Sequence, residues 1–134
     1  MQKTILIVSG GVEAADAAKR AREMGLYVVV SDRDPHAPGF AFADSVLLAD
    51  VYAPDETAAA AERYARKLRK IDGVICVAAD APMTVAAVNK RLGLPGISVE
   101  SARLACDKLA MKERFLAAGV PIPWFSAVST PQAL

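Results

Sequence analysis

The sequence has little of what builds a metal centre or a disulfide framework. Its 134 residues include two cysteines and one histidine. Cys76 and Cys106 are too far apart to make a Cys-x-x-Cys pair, and His36 has no second histidine beside it. A structural zinc site is therefore not expected, and the cysteine usage fits a reducing cytoplasm. Aromatic residues are scarce at 6%, so the core has to be built from Ala, Val, Leu and Ile. No charge of one sign dominates, because 16 basic and 15 acidic residues leave a formal net charge of +1. Nucleic-acid and membrane surfaces usually require a clear basic excess, so neither partner is expected. The first apolar run, Ile5 to Val8, is short. A signal peptide needs roughly 7–15 apolar residues and a membrane span about 20. There is no internal repeat, and the compositional bias is limited to alanine.

What is present points to one α/β domain. Hydrophobic residues make up 54% of the chain, enough for one well-buried core. Ile5-Leu6-Ile7-Val8, Tyr27-Val28-Val29-Val30 and Val74-Ile75-Cys76-Val77 are short, continuously apolar and rich in β-branched residues. That pattern suits strands covered on both faces, as in a parallel sheet. Val46-Leu47-Leu48 reads as a weaker strand, and Leu94-Pro95-Gly96-Ile97 as a short fifth one. Helical stretches alternate with them. One runs from about Glu13 to Met24, with Gly25 as its cap. A second starts at Pro54 and keeps Ala58, Ala61, Ala65 and Leu68 on an inward face. A third runs from about Ala81 to Leu92 with Pro82 in its first turn, and a fourth from about Lys108 to Ala118. Alternation of this kind predicts right-handed βαβ units and a doubly wound, Rossmann-like parallel sheet.

Several residues are candidates for chemistry. Ser9-Gly10-Gly11 separates a strand from a helix, where backbone N–H groups approach an anion. Asp32 closes the second strand, at the place of a ribose-binding acid. The full G-x-G-x-x-G fingerprint is missing, and Glu13 would face a pyrophosphate, so a nicotinamide cofactor is not expected. The glycines either meet a small molecule or only make the turn, with Asp32 a polar loop residue. Asp80 follows a strand and precedes a helix, which makes it an N-cap, a ligand contact, or both. Lys108 stands in a helix's first turn, where its charge opposes the helix dipole unless Asp107 offsets it. A lysine there either holds a phosphate or is a solvated side chain. Arg63, Arg66, Lys67, Arg69 and Lys70 read as the solvated face of the long helix. Cys76, on an apolar strand, reads as a buried, inert thiol.

From Asp72 onward an ordered series appears. Asp72-Gly73-Val74-Ile75 is followed by Asp80, then Leu92-Gly93-Leu94-Pro95-Gly96, then Asp107-Lys108, then Ala118-Gly119-Val120-Pro121-Ile122-Pro123. With Ala43-Asp44 upstream, this order resembles the ATP-grasp superfamily, whose members include biotin carboxylase, the carbamoyl-phosphate synthase large subunit and amino-acid ligases. The resemblance covers nearly the whole chain. It implies a pre-ATP-grasp Rossmann-like domain over residues 1–106 and the first helix and strand of an ATP-grasp domain over 107–134. It also implies an ATP-dependent carboxylate ligase that acts through an acyl phosphate, with ATP and Mg2+ as cofactors. Lys108 would contact the nucleotide phosphates. Gly10, Gly11, Asp32 and Asp80 would lie on the edge that receives a small carboxylate substrate. The family's other ATP and magnesium ligands would fall beyond Leu134.

The last residues support that division. Thr130-Pro131 has the grammar of a helix start, with Thr130 as N-cap and Pro131 in the first helical position. Leu134 is accordingly expected to lie inside a longer protein, and the chain alone is expected to be inactive. The competing reading is a stand-alone module that binds a nucleotide or small molecule. Many relatives dimerise, so a homodimer is one assembly the resemblance allows, but no apolar stripe in the sequence identifies an interface.

Overall fold

A computed structural model describes residues 2–130 and 132. Four strands, β1 (Thr4–Val8), β2 (Tyr27–Asp32), β3 (Ser45–Leu48) and β4 (Gly73–Cys76), form one sheet in the order β3-β2-β1-β4. Every pairing is parallel. Five α-helices accompany them: α1 (Val12–Glu23), α2 (Pro54–Lys67), α3 (Pro82–Leu92), α4 (Val99–Cys106) and α5 (Lys108–Ala117). The doubly wound α/β expectation is met.

The two faces of the sheet are covered differently. Ile7, Val28 and Val30 pack on α1 through Ala14, Ala18 and Ala21. The small alanines recur at helical spacing and let α1 lie close to the strands. Leu6, Val8 and Val29 point the other way, into a second cluster with Ala58, Ala61 and Tyr64 of α2 and Val88 of α3. Strands buried on both faces explain why their sequences are continuously apolar.

Polar contacts fix the strand ends. The Asp72 carboxylate accepts the Thr4 N–H at 3.0 Å and pairs with Lys70 at 3.1 Å, which ties the entry of β4 to the start of β1. The Asp44 carboxylate accepts the Val28 N–H at 2.8 Å, so Ala43-Asp44 sets the approach to β3. Arg69 lies 4.3 Å from the Tyr27 ring centre and donates to Thr4 Oγ1 at 2.8 Å.

Four details differ from the sequence reading. Leu94–Ile97 forms no strand, because Pro95 has no N–H to give a ladder and Gly96 is held against the Asn89 carboxamide instead. α2 stops at Lys67, so Leu68 leaves the helical register and is 75% exposed rather than inward. Arg69 and Lys70 then belong to the loop, where they tie down β1 and Asp72. Helix α4 was not anticipated; its N-cap is Ser98, whose hydroxyl accepts the Ser101 N–H at 3.0 Å. The strand expected after the helix in residues 107–134 does not form among the described residues, and Trp124–Val128 is without regular structure. The helix start expected at Thr130-Pro131 depends on Pro131, which lies outside the described residues, as do Ala133 and Leu134.

Candidate functional site

The connections define where a ligand can sit. From β1 the chain moves through α1 to β2 on one side, while β4 joins β1 on its other side. With α1 on one face and α2 and α3 on the other, the direction of the connections reverses between β1 and β4. This is the topological switch point at which open α/β sheets take ligands.

Backbone strain marks the same place. Among the described residues, two non-glycine positions have positive φ: Ser9 at 88° and Ala78 at 63°. Ser9 follows β1 and Ala78 lies two residues past the end of β4. An L-residue there costs on the order of 1–3 kcal/mol, and such costs gather where backbone must be aimed. The Ser9 N–H is anchored to the Ser31 carbonyl at 2.9 Å, which keeps the turn joined to β2.

The glycine turn is tightly built. The Gly10 N–H donates to Asp32 Oδ2 at 2.7 Å, and the Gly10 carbonyl accepts the Gly39 N–H at 2.7 Å. A Cβ on Gly10 would stand 2.9 Å from the Ala37 Cβ, and one on Gly39 would stand 3.1 Å from the Gly10 backbone. Gly10 is therefore glycine because the Ala37–Gly39 loop presses on it. Asp32 Oδ1 accepts the Asp34 N–H at 3.0 Å, so both its oxygens serve backbone donors. That supports the turn-forming reading of Gly10 and Asp32. The Gly11 N–H has only a 3.4 Å approach from Ser9 Oγ, and Gly11 is the N-cap of α1 without a side-chain cap bond. The amide of Gly11 and the first turn of α1 are thus the donors left to face a ligand.

Asp80 is exposed and does not cap α3. The N-cap is Ala81, and no side chain caps that helix. Asp80 instead lines a groove of about 530 Å³ along the outer edge of β4, with Cys76, Ala79, Asn89, Pro95 and Ile97. The Cys76 thiol donates to the Ala79 carbonyl at 3.2 Å, and burial pushes its pKa up, so it stays protonated and inert. Lys108 is exposed in the first turn of α5, and Asp107 Oδ1 caps that helix by accepting the Ala110 N–H at 3.0 Å. α5 buries none of its residues. Among the described residues, no hydrogen bond or ion pair joins Lys108 to Gly11, Asp32 or Asp80. The structure therefore gathers Gly10, Gly11 and Asp32 into one turn and leaves Asp80 and Lys108 as separate exposed groups. Gly39 and Ala78 were missed as site residues in the sequence, and the positive φ of Ser9 was not foreseen. Their roles depend on a contact between loops and on backbone angles, and only Pro38-Gly39 carries a local signal, that of a turn. Among the described residues, no group of three His, Cys, Asp or Glu stands close enough together to hold a metal ion by itself. Among the described residues, no helix is long and apolar enough to cross a membrane.

A parallel sheet with helices on both faces and a strained turn at its switch point defines a doubly wound α/β domain. The profile of the ATP-grasp N-terminal domain matches residues 18–96, more than half of the chain. The chain belongs to this family. In the crystal structure of phosphoribosylglycinamide synthetase from Anaerococcus prevotii, a region 26% identical matches with a TM-score of 0.75, over 89% of this chain and 30% of that one. The L-amino acid ligase from Bacillus licheniformis shares the fold, with a TM-score of 0.77 at 16% identity over 99% of this chain and 34% of that one. An uncharacterised protein of Sinorhizobium fredii (strain NBRC 101917 / NGR234) is 27% identical over 136 residues, covering 97% of this chain and 28% of that protein. The chain thus spans 28% of the length of the curated relative it matches.

Proposed function

We propose that this chain is the substrate-side N-terminal part of an ATP-dependent carboxylate ligase, with the domain boundary between Cys106 and Asp107. The match of residues 18–96 to the ATP-grasp N-terminal domain carries the reading. In the proposed reaction, ATP phosphorylates a small carboxylate, and an amine or thiol displaces phosphate from the acyl phosphate. The part played by this chain is binding and orientation. Gly11 and the first turn of α1 offer N–H donors and the positive end of a helix dipole to the anionic substrate. Ser9 and Ala78 aim the two loops that flank it. Lys108 provides a mobile cation for a nucleotide phosphate, held beside the first N–H groups of α5. Mg2+ would be held by residues outside those described here.

Two measurements test this. Titration of the 134-residue chain with ATP in a calorimeter is expected to give a dissociation constant no tighter than about 1 mM, roughly −4 kcal/mol. Micromolar affinity would instead favour a self-sufficient nucleotide-binding module. A longer protein that contains this chain is expected to release ADP and phosphate from ATP when its carboxylate is present, and hydroxylamine is expected to trap a hydroxamate. Release of AMP and pyrophosphate would overturn the acyl-phosphate route.

A further inference from the structure

We infer that the free edge of β3, together with α2, is the contact through which two copies of this chain pair about a two-fold axis. The two outer strands of the sheet are treated differently. Along β4, Pro95, Gly96 and Ile97 line the same groove as Val74 and Cys76, so a loop of the same chain flanks that edge. Along β3, no segment does so among the described residues. A groove of about 450 Å³ runs there, bounded by the strand itself, Ser45 to Leu48, and by Ala60, Arg63, Lys67 and Leu68 of α2 and its end. Val46 is 47% exposed and Leu48 62%. β3 carries no charge, proline or bulge, the usual guards of an exposed edge.

The charges on α2 identify the occupant. Glu56, Ala60, Arg63 and Lys67 recur at i, i+4, i+7 and i+11, so they share one stripe of the helix. Acidic residues occupy the first turn of α2 and basic residues the last. Antiparallel pairing of two β3 edges has its two-fold axis perpendicular to the sheet. That axis keeps both copies of α2 on the same face and reverses their directions. Glu56 of one copy then comes opposite Lys67 of the other, twice over, with the small Ala60 between the charged ends. Among the described residues, Glu56, Arg63 and Lys67 have no ion-pair partner within their own chain. A second copy satisfies both ends of the stripe, whereas a uniformly acidic partner would satisfy only one. The net charge of +1 puts no large repulsion between copies.

Sedimentation velocity over a concentration series reads this directly. The wild-type chain is expected to dimerise below about 100 µM, the range of weak but specific association. Lys67→Glu and Glu56→Lys are each expected to weaken the dimer by roughly tenfold or more, since the symmetry presents each reversal twice. The double variant, which exchanges the two charges, is expected to return to within about threefold of wild type. Val46→Lys, on the strand itself, is expected to give a monomer with an unchanged circular dichroism spectrum. A wild-type chain that stays monomeric at about 100 µM overturns the proposal. So does a dimer indifferent to Lys67→Glu, or a double variant as weak as the single ones.

Discussion

Replacing Asp32 separates a turn-building acid from a ligand-binding one. Its carboxylate accepts two backbone N–H groups, from Gly10 at 2.7 Å and Asp34 at 3.0 Å. Gly10 is buried while Asp34 is exposed, so the two losses differ. In Asp32→Ala, water can replace the carboxylate at Asp34 at a cost of about 0.5 kcal/mol, but the Gly10 N–H is left without a partner, which costs about 1–3 kcal/mol. The same turn holds the Gly39 N–H on the Gly10 carbonyl, so movement of Gly10 loosens the Ala37–Gly39 loop as well. We expect a total loss of about 3 kcal/mol. For a chain of 134 residues, unfolding entropy scales so that this lowers the melting temperature by roughly 10 °C. Asp32→Asn keeps one acceptor oxygen and should lose about half as much. Urea unfolding monitored by circular dichroism measures both variants. If Asp32→Ala stays within about 0.5 kcal/mol of wild type, the carboxylate is not holding the turn, and a ligand-binding role for Asp32 regains the advantage.

Gly10→Ala is expected to cost about 2 kcal/mol or more, because its Cβ meets Ala37 at 2.9 Å, while Gly11→Ala, whose Cβ meets nothing closer than 3.8 Å, should cost less than about 1 kcal/mol; equal losses in urea unfolding would contradict the assigned packing. Ala78→Gly is expected to stabilise by up to about 1 kcal/mol, since relief of the positive φ exceeds the added chain entropy, and a measured loss would show that the strain is not there. Acid should unfold the chain through Glu62 and Asp72. Arg91 and Arg66 hold the Glu62 carboxyl below its ordinary range, and the Thr4 N–H and Lys70 do the same for Asp72. Folded pKa values below the unfolded ones give stability that is complete above about pH 5 and lost as the pH falls through the folded values. Glu62→Gln with Asp72→Asn should flatten that part of the pH–stability curve, and an unchanged slope would reject the assignment.

The strands were legible because burial on both faces writes a continuous apolar run, as in Tyr27-Val28-Val29-Val30. The ends of α1 and α3 were legible because Gly25 and Gly93 take positive φ there. What failed depends on long-range geometry. Leu94–Ile97 has strand-like residues, yet Pro95 and the approach of Gly96 to Asn89 keep it out of the sheet. Leu68 keeps the apolar spacing of α2, but the helix ends one residue before it, and the backbone turns the side chain to solvent. α4 left one local trace, Ser98 with Glu100 in the first turn, hidden by its proximity to the Asp107 cap of the next helix. In the site, the glycine turn and Asp32 were visible as a pair, but not their direct hydrogen bond, because residues on two strands meet only once the sheet register is set.

That bond changes which atoms are available for chemistry. An acid after β2 and a glycine after β1 invite the view that both face a ligand. Here they bond to each other and spend their other polar groups on Gly39 and Asp34, so the turn is built before any ligand arrives. Preorganisation of this kind lowers the entropy lost on binding. The remaining donors are the Gly11 N–H, held only by a long 3.4 Å bond to Ser9 Oγ, and the N–H groups that helix geometry leaves unpaired in the first turn of α1. Such donors bind an anion but discriminate poorly among anions, since they read charge rather than shape. Asp80 lies on another groove, and Lys108 on a helix that buries nothing. On the ligase reading proposed above, selectivity for one carboxylate would come from side chains brought against this edge, with the exposed α5 as the element placed to meet them.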